Sequence, residues 1–155
     1  MPWGLRSPAR QQADEAEPRT VLVPPVGPLV AARTYLQAEL GSRGNDLPVA
    51  VVPPEGDLVP HVLLSRPGSS SRAFLGDYLI RLRVFDQDAV RLERNTDLIH
   101  RLMLSVSHRM VDTSEGSVWV TGSHPQMGPS DFTDPVSQMF AMQMAVFWTI
   151  GLRPG

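Results

Sequence analysis

Between Asp77 and Met110 the hydrophobic period of the chain switches from that of a strand to that of a helix. Tyr78, Ile80, Leu82 and Val84 alternate with Arg81 and Arg83, and then Leu98, Ile99, Leu102, Met103, Val106 and Met110 recur at helical spacing. A strand feeding a helix, with Asp86 between them as a candidate cap, calls for a sheet with a helix laid across it. The helix is expected over residues 88–110. Asn95, Thr96 and Asp97 are poor interior helix residues and good caps, so a start near Asn95 is the alternative. Nothing in this unit looks like a reaction centre.

The neighbouring segments extend the same architecture. Pro28 sits where a first helical residue does, and Leu29, Ala32, Leu36 and Leu40 recur at helical spacing up to Gly41. Leu47–Val52 reads as a strand ended by Pro53-Pro54, and His61–Ser65 as a second strand. Arg66–Arg72 reads as a loop by composition, Val118–Val120 as a brief strand, and His124–Pro135, with three prolines, as another loop. In the last element Phe140, Met142, Met144, Val146, Trp148 and Ile150 occupy every second position, which predicts a long central strand. Residues 1–27 are polar and proline-punctuated and read as an extended or flexible arm. The fold class expected is α+β: an antiparallel sheet with two helices packed on one face, in a single domain over residues 28–153.

Composition removes whole classes of chemistry. All 14 basic residues are arginine, so there is no Walker lysine, no Schiff base and no lysine general base. No cysteine is present, which removes disulfides, thiolate nucleophiles and thiolate metal sites and fits a reducing cytoplasm. The formal charge of −2 argues against a protein whose main task is to coat nucleic acid. Residues 1–19 lack an apolar run of signal-peptide length, and Met139–Ile150 is too short to span a bilayer. A soluble protein without membrane contact is expected.

The remaining constellations have bland readings. His100 and His108 stand eight apart, where a helical metal pair wants about four, and no acid joins them; His61 and His124 read as ordinary histidines. Ser69-Ser70-Ser71 after Pro67-Gly68 matches neither a nucleophile elbow nor a phosphate cradle. No catalytic, cofactor-binding or metal-ligating residue is identified, and the chain is expected not to be an enzyme. Charge is distributed unevenly along the chain. Arginine dominates from Arg66 to Arg109, whereas 110–152 holds Asp112, Glu115, Asp131 and Asp134 and no arginine. This split is either two solvated faces of a monomer or a head-to-tail subunit interface, with Arg66, Arg72, Arg81 and Arg83 of one copy facing Asp131 and Asp134 of the next.

The order of elements resembles the tail terminator family of long-tailed, siphovirus-type bacteriophages. The likeness lies in the N-terminal amphipathic helix (Pro28–Leu40), the proline-flanked strands Leu47–Val52 and His61–Ser65, and the Arg66-Pro67-Gly68 loop. It continues through the strand-to-helix unit of Asp77–Met110 and the closing strand after Asp134-Pro135, and covers residues 28–153. The resemblance implies a virion structural protein without cofactors that self-assembles into a ring, as a hexamer, at the head-proximal end of the tail. It implies contacts with the major tail tube protein and a head-completion or connector protein, and assembly in the host cytoplasm. Double-stranded DNA passes through such a ring only as cargo, which implies a lumen without adhesive basic patches. Competing readings are another head–tail connector or neck protein of the same virion, a small ligand-binding α+β regulatory domain, and a hydrolase or transferase.

Overall fold

The structure, a computed structural model, describes residues 21–55, 58–133 and 138–155. Among them the chain forms an α+β fold with two helices and a curled, mostly antiparallel sheet. In chain order the elements are β1 (Leu22–Val23), α1 (Pro28–Gly41), β2 (Val49–Ala50), β3 (His61–Arg72), β4 (Leu75–Asp86), α2 (Ala89–Leu104), β5 (Arg109–Thr113), β6 (Gly116–Phe132), β7 (Phe140–Gly151) and β8 (Arg153–Pro154). The main sheet runs β2-β3-β4-β7-β6-β5, antiparallel except for the parallel β2–β3 pair; β1 and β8 form a separate two-stranded pairing.

β4 and β7 are paired from end to end, with Tyr78 opposite Trp148, Ile80 opposite Val146 and Leu82 opposite Met144. Because side chains alternate across a strand, these residues all enter one core, joined by Ala32, Leu36 and Leu40 of α1 and Leu92, Ile99 and Met103 of α2. The period-two stripe of residues 140–150 is therefore a central strand, held between β4 and β6. α2 lies against β4, β6 and β7, and α1 against β5, β2, β3 and α2.

α1 begins at Pro28, which needs no intrahelical N–H partner in the first turn. α2 begins at Ala89, and its cap is Asp88, not Asp86: the Asp88 carboxylate accepts from the N–H groups of Val90 (3.0 Å) and Arg91 (3.1 Å). Asn95, Thr96 and Asp97 do not interrupt the helix. The Thr96 hydroxyl donates back to the Leu92 carbonyl at 2.7 Å, and the Asn95 side chain accepts from Asn45 at 3.1 Å.

The helix ends at Leu104, short of the expected residue 110, because side chains from elsewhere take its last carbonyls. Tyr35 of α1 donates to Leu102 at 2.7 Å, Trp148 of β7 to Met103 at 3.0 Å and Ser123 of β6 to Leu104 at 2.7 Å. Val106 is still buried beyond the helix end, whereas Met110 lies exposed on β5.

Two segments expected to be loops are strands. Arg66–Arg72 is the second half of β3, paired with β4 after a register shift between Ser65 and Gly68. His124–Phe132 continues the strand begun at Gly116, paired with β7 through two register shifts. Their Pro, Gly and Ser content sets local preference, but the long apolar neighbours impose pairing. The strand expected over Leu47–Val52 shrinks to Val49–Ala50, on the sheet edge where its following prolines are tolerated. Of the residues read as an N-terminal arm, 21–27 are docked: Leu22 and Val23 pair with Pro154 and Arg153, and Val26 is in the core. Residues 1–20 lie outside the described residues.

The β3–β4 hairpin turns through Ala73 and Phe74, and Ala73 carries a φ of +48°. That left-handed region strains any residue with a Cβ by roughly 1–2 kcal/mol. Glycine relieves the strain and gives back about half of it as unfolded-chain entropy. Ala73→Gly is expected to raise the melting temperature by about 1–3 °C, measured by thermal circular dichroism; a fall would contradict the strain assigned to this turn.

Candidate assembly interface

The main sheet is only half covered along each edge. β2 pairs with β3 only at Val62 and Leu63. From Ser65 to Arg72 the outer side of β3 has no pairing strand among the described residues. At the opposite edge β5 pairs with β6 from Gly116 to Val120, and Ser107 extends the cover by accepting the Ser123 N–H at 3.0 Å. From His124 to Phe132 the outer side of β6 is open in the same sense. Open edges invite indiscriminate pairing, and both are blunted here. Pro67, Pro125 and Pro129 have no N–H to give, and register shifts break each stretch. The Ser69-Ser70-Ser71 cluster is part of the β3 edge.

The residues selected from sequence divide between these edges and the middle of the sheet. Arg66 and Arg72 lie on the open stretch of β3, and Asp131 on that of β6. Arg81 and Arg83 lie on β4, between β3 and β7, and are not brought to an edge. Asp134 lies outside the described residues. The Arg66 guanidinium sits 5.5 Å from the centre of the Tyr78 ring, and Asp131 stands opposite Met142. Both therefore lie on the side of the sheet that carries the core. Burial pushes the Tyr78 hydroxyl pKa up, and Arg66 opposes that shift.

Arg81 and Arg83 alternate with the core residues of β4 and project from the opposite side of the sheet. No ion pair or side-chain hydrogen bond reaches either among the described residues. The Arg83 guanidinium lies 4.4 Å over the centre of the Phe132 ring, and its buried Nε has no protein acceptor. With Gln126 and Gln143 these two arginines line an open depression of about 400 Å³ that contains no carboxylate among the described residues. Farther along the same side Asp77 accepts from the Thr149 hydroxyl and pairs with Arg72 at 3.2 Å. The Thr149 hydroxyl, and after it Arg72, holds the Asp77 carboxyl below the usual range. Sequence reading missed Gln126, Phe132 and Gln143. Only the alternation of residues 140–150, which already put Gln143 off the core side, could have found one of them.

Among the described residues no three His, Cys, Asp or Glu side chains come together to hold a metal ion. The histidines are dispersed: His61 stacks on Phe85 at 4.6 Å, His124 stacks on Phe147 at 5.3 Å, and burial pushes the His100 pKa down. A cleft of about 740 Å³ between the start of α2 and the β6–β7 end is lined by Leu92, Glu93, Asp131, Phe140 and Met142 among others, without a nucleophile–base pair among the described residues. No described helix is long and apolar enough to cross a membrane. No protein-family model and no curated protein matches the chain.

Proposed function

We propose that the chain is a ring-forming virion structural protein that caps the completed tail tube, ends its polymerisation and joins tail to head. The observation that carries the self-assembly is the pair of open edges. β3, β4, β7 and β6 alternate in direction, so β6 of one copy meets β3 of the next in antiparallel sense. Such a contact is heterologous, and it closes into a ring when the rotation permits. Overlapped along their length, the two stretches set Asp131 beside Ser65 and Arg66, on the same side of the sheet. The finer arrangement, two helices on one face of the sheet in a single domain, then leaves both helices on one side of the ring wall. A hexamer, the tube and connector partners, the virion location and the absence of catalysis come with the resemblance and belong to this proposal.

The prolines deny the seam several backbone donors, and exposed ion pairs contribute below about 1 kcal/mol each and are screened by salt. The free chain is therefore expected to be monomeric when dilute and to form rings at high concentration and low salt. Arg66→Glu and Asp131→Arg should each shift the light-scattering mass toward monomer, and the two together should restore it. Assembly indifferent to both single reversals would refute this seam. Added to the polymerising tube protein of the same virion, the wild-type chain should arrest tube growth as seen by electron microscopy; unchanged tube lengths would reject the capping role.

A further inference from the structure

We propose that the side of the sheet opposite the core contacts the phosphodiester backbone of duplex DNA through Arg81 and Arg83. This rests on the ring reading for the source of the DNA, with this side of the sheet turned toward the lumen. The chemistry comes from the side itself. Arg72 and Asp77 neutralise one another at 3.2 Å, which leaves Arg81 and Arg83 as its unpaired cations among the described residues. Two residues apart on one strand, they stand about 6.6 Å from one another along β4, close to the spacing of successive phosphates on a nucleic-acid strand.

The Phe132 ring supports one guanidinium plane at 4.4 Å, which leaves its N–H edge for a phosphate oxygen. Gln126 and Gln143 add neutral donors to the same depression, and among the described residues no carboxylate there competes. A lumen lined this way grips its cargo, the reverse of the non-adhesive wall that the tail-terminator resemblance implies.

The test is fluorescence anisotropy of a labelled duplex of random sequence with the full chain at low salt, with light scattering on the same samples. Wild-type binding should weaken steeply with salt. Arg81→Gln with Arg83→Gln should weaken it at least about tenfold and reduce the slope of log affinity against log salt by about two. Arg81→Lys with Arg83→Lys should retain most of it, and melting curves should show all variants folded. Arg94→Gln, which removes an exposed charge from α2, should change affinity less than about twofold.

An absent interaction, an equal loss in Arg94→Gln, or displacement of the duplex by poly-glutamate at equal charge would overturn the proposal. Rings that form without binding DNA overturn this inference alone. DNA binding by a chain that never forms rings supports the contact and defeats the ring.

Discussion

Trp148→Ala is expected to destabilise the protein by about 3–5 kcal/mol, the range for removing a fully buried large aromatic, and to lower the melting temperature by roughly 6–20 °C. Trp148 has no exposed surface, packs edge-on against Tyr35 with ring centres 5.7 Å apart, and donates its indole N–H to the Met103 carbonyl. The substitution therefore opens a cavity and leaves a helix-terminal carbonyl without its donor. Trp148→Phe fills most of the space and tests the second loss separately. It should fall between wild type and Trp148→Ala in urea or thermal unfolding. Equal stability of Phe and Trp at this position would mean that the bond to Met103 contributes nothing.

The same residue marks the boundary between what the sequence makes legible and what it does not. Its place in the period-two stripe of residues 140–150 identifies a long central strand, because alternation is local and survives any tertiary context. That its indole would end α2 is a contact between residues 45 apart, and no local pattern encodes it. The expected end at residue 110 followed apolar spacing past the point where tertiary acceptors and donors took over. Arg66–Arg72 and His124–Phe132 were misread for a related reason. Pro, Gly and Ser describe what a segment prefers alone, whereas β4 and β7 dictate what it does beside them.

The candidate interface was legible only as charge. Counting along the chain singled out Arg66, Arg72 and Asp131 without showing that they lie on edges, since strand order cannot be read from alternation. Arg81 and Arg83 were legible as the off-core residues of β4. Which residues of β6 and β7 share that side with them was not.

Asp86, read from sequence as a candidate helix cap, does a different job, and its removal is the second large effect expected. Its carboxylate is 1% exposed and takes both Nε and Nη2 of Arg91 at 2.7 Å and the N–H of Asp88 at 2.9 Å. The Arg91 guanidinium, with the Asp88 N–H adding to it and burial opposing, holds this carboxyl below its ordinary value. A depressed folded-state pKa means that the unfolded chain binds the proton more readily. The stabilisation is then fully present above the unfolded value of 3.8 and is lost as pH falls through the folded value. The melting temperature should accordingly hold from neutral pH down to about 5 and drop below about 4, with Asp77, whose pKa shift has the same sign, contributing to the fall. Asp86→Ala leaves the Asp88 N–H at the β4–α2 junction without its acceptor, a loss of about 1–3 kcal/mol at neutral pH. The diagnostic result is a difference of differences: thermal unfolding of Asp86→Ala and wild type should differ most at pH 7, and the gap should narrow as pH falls below about 4. A gap between the two that stays constant across that range would show that the ion pair with Arg91 does not hold the junction, and that Asp86 acts only by filling space.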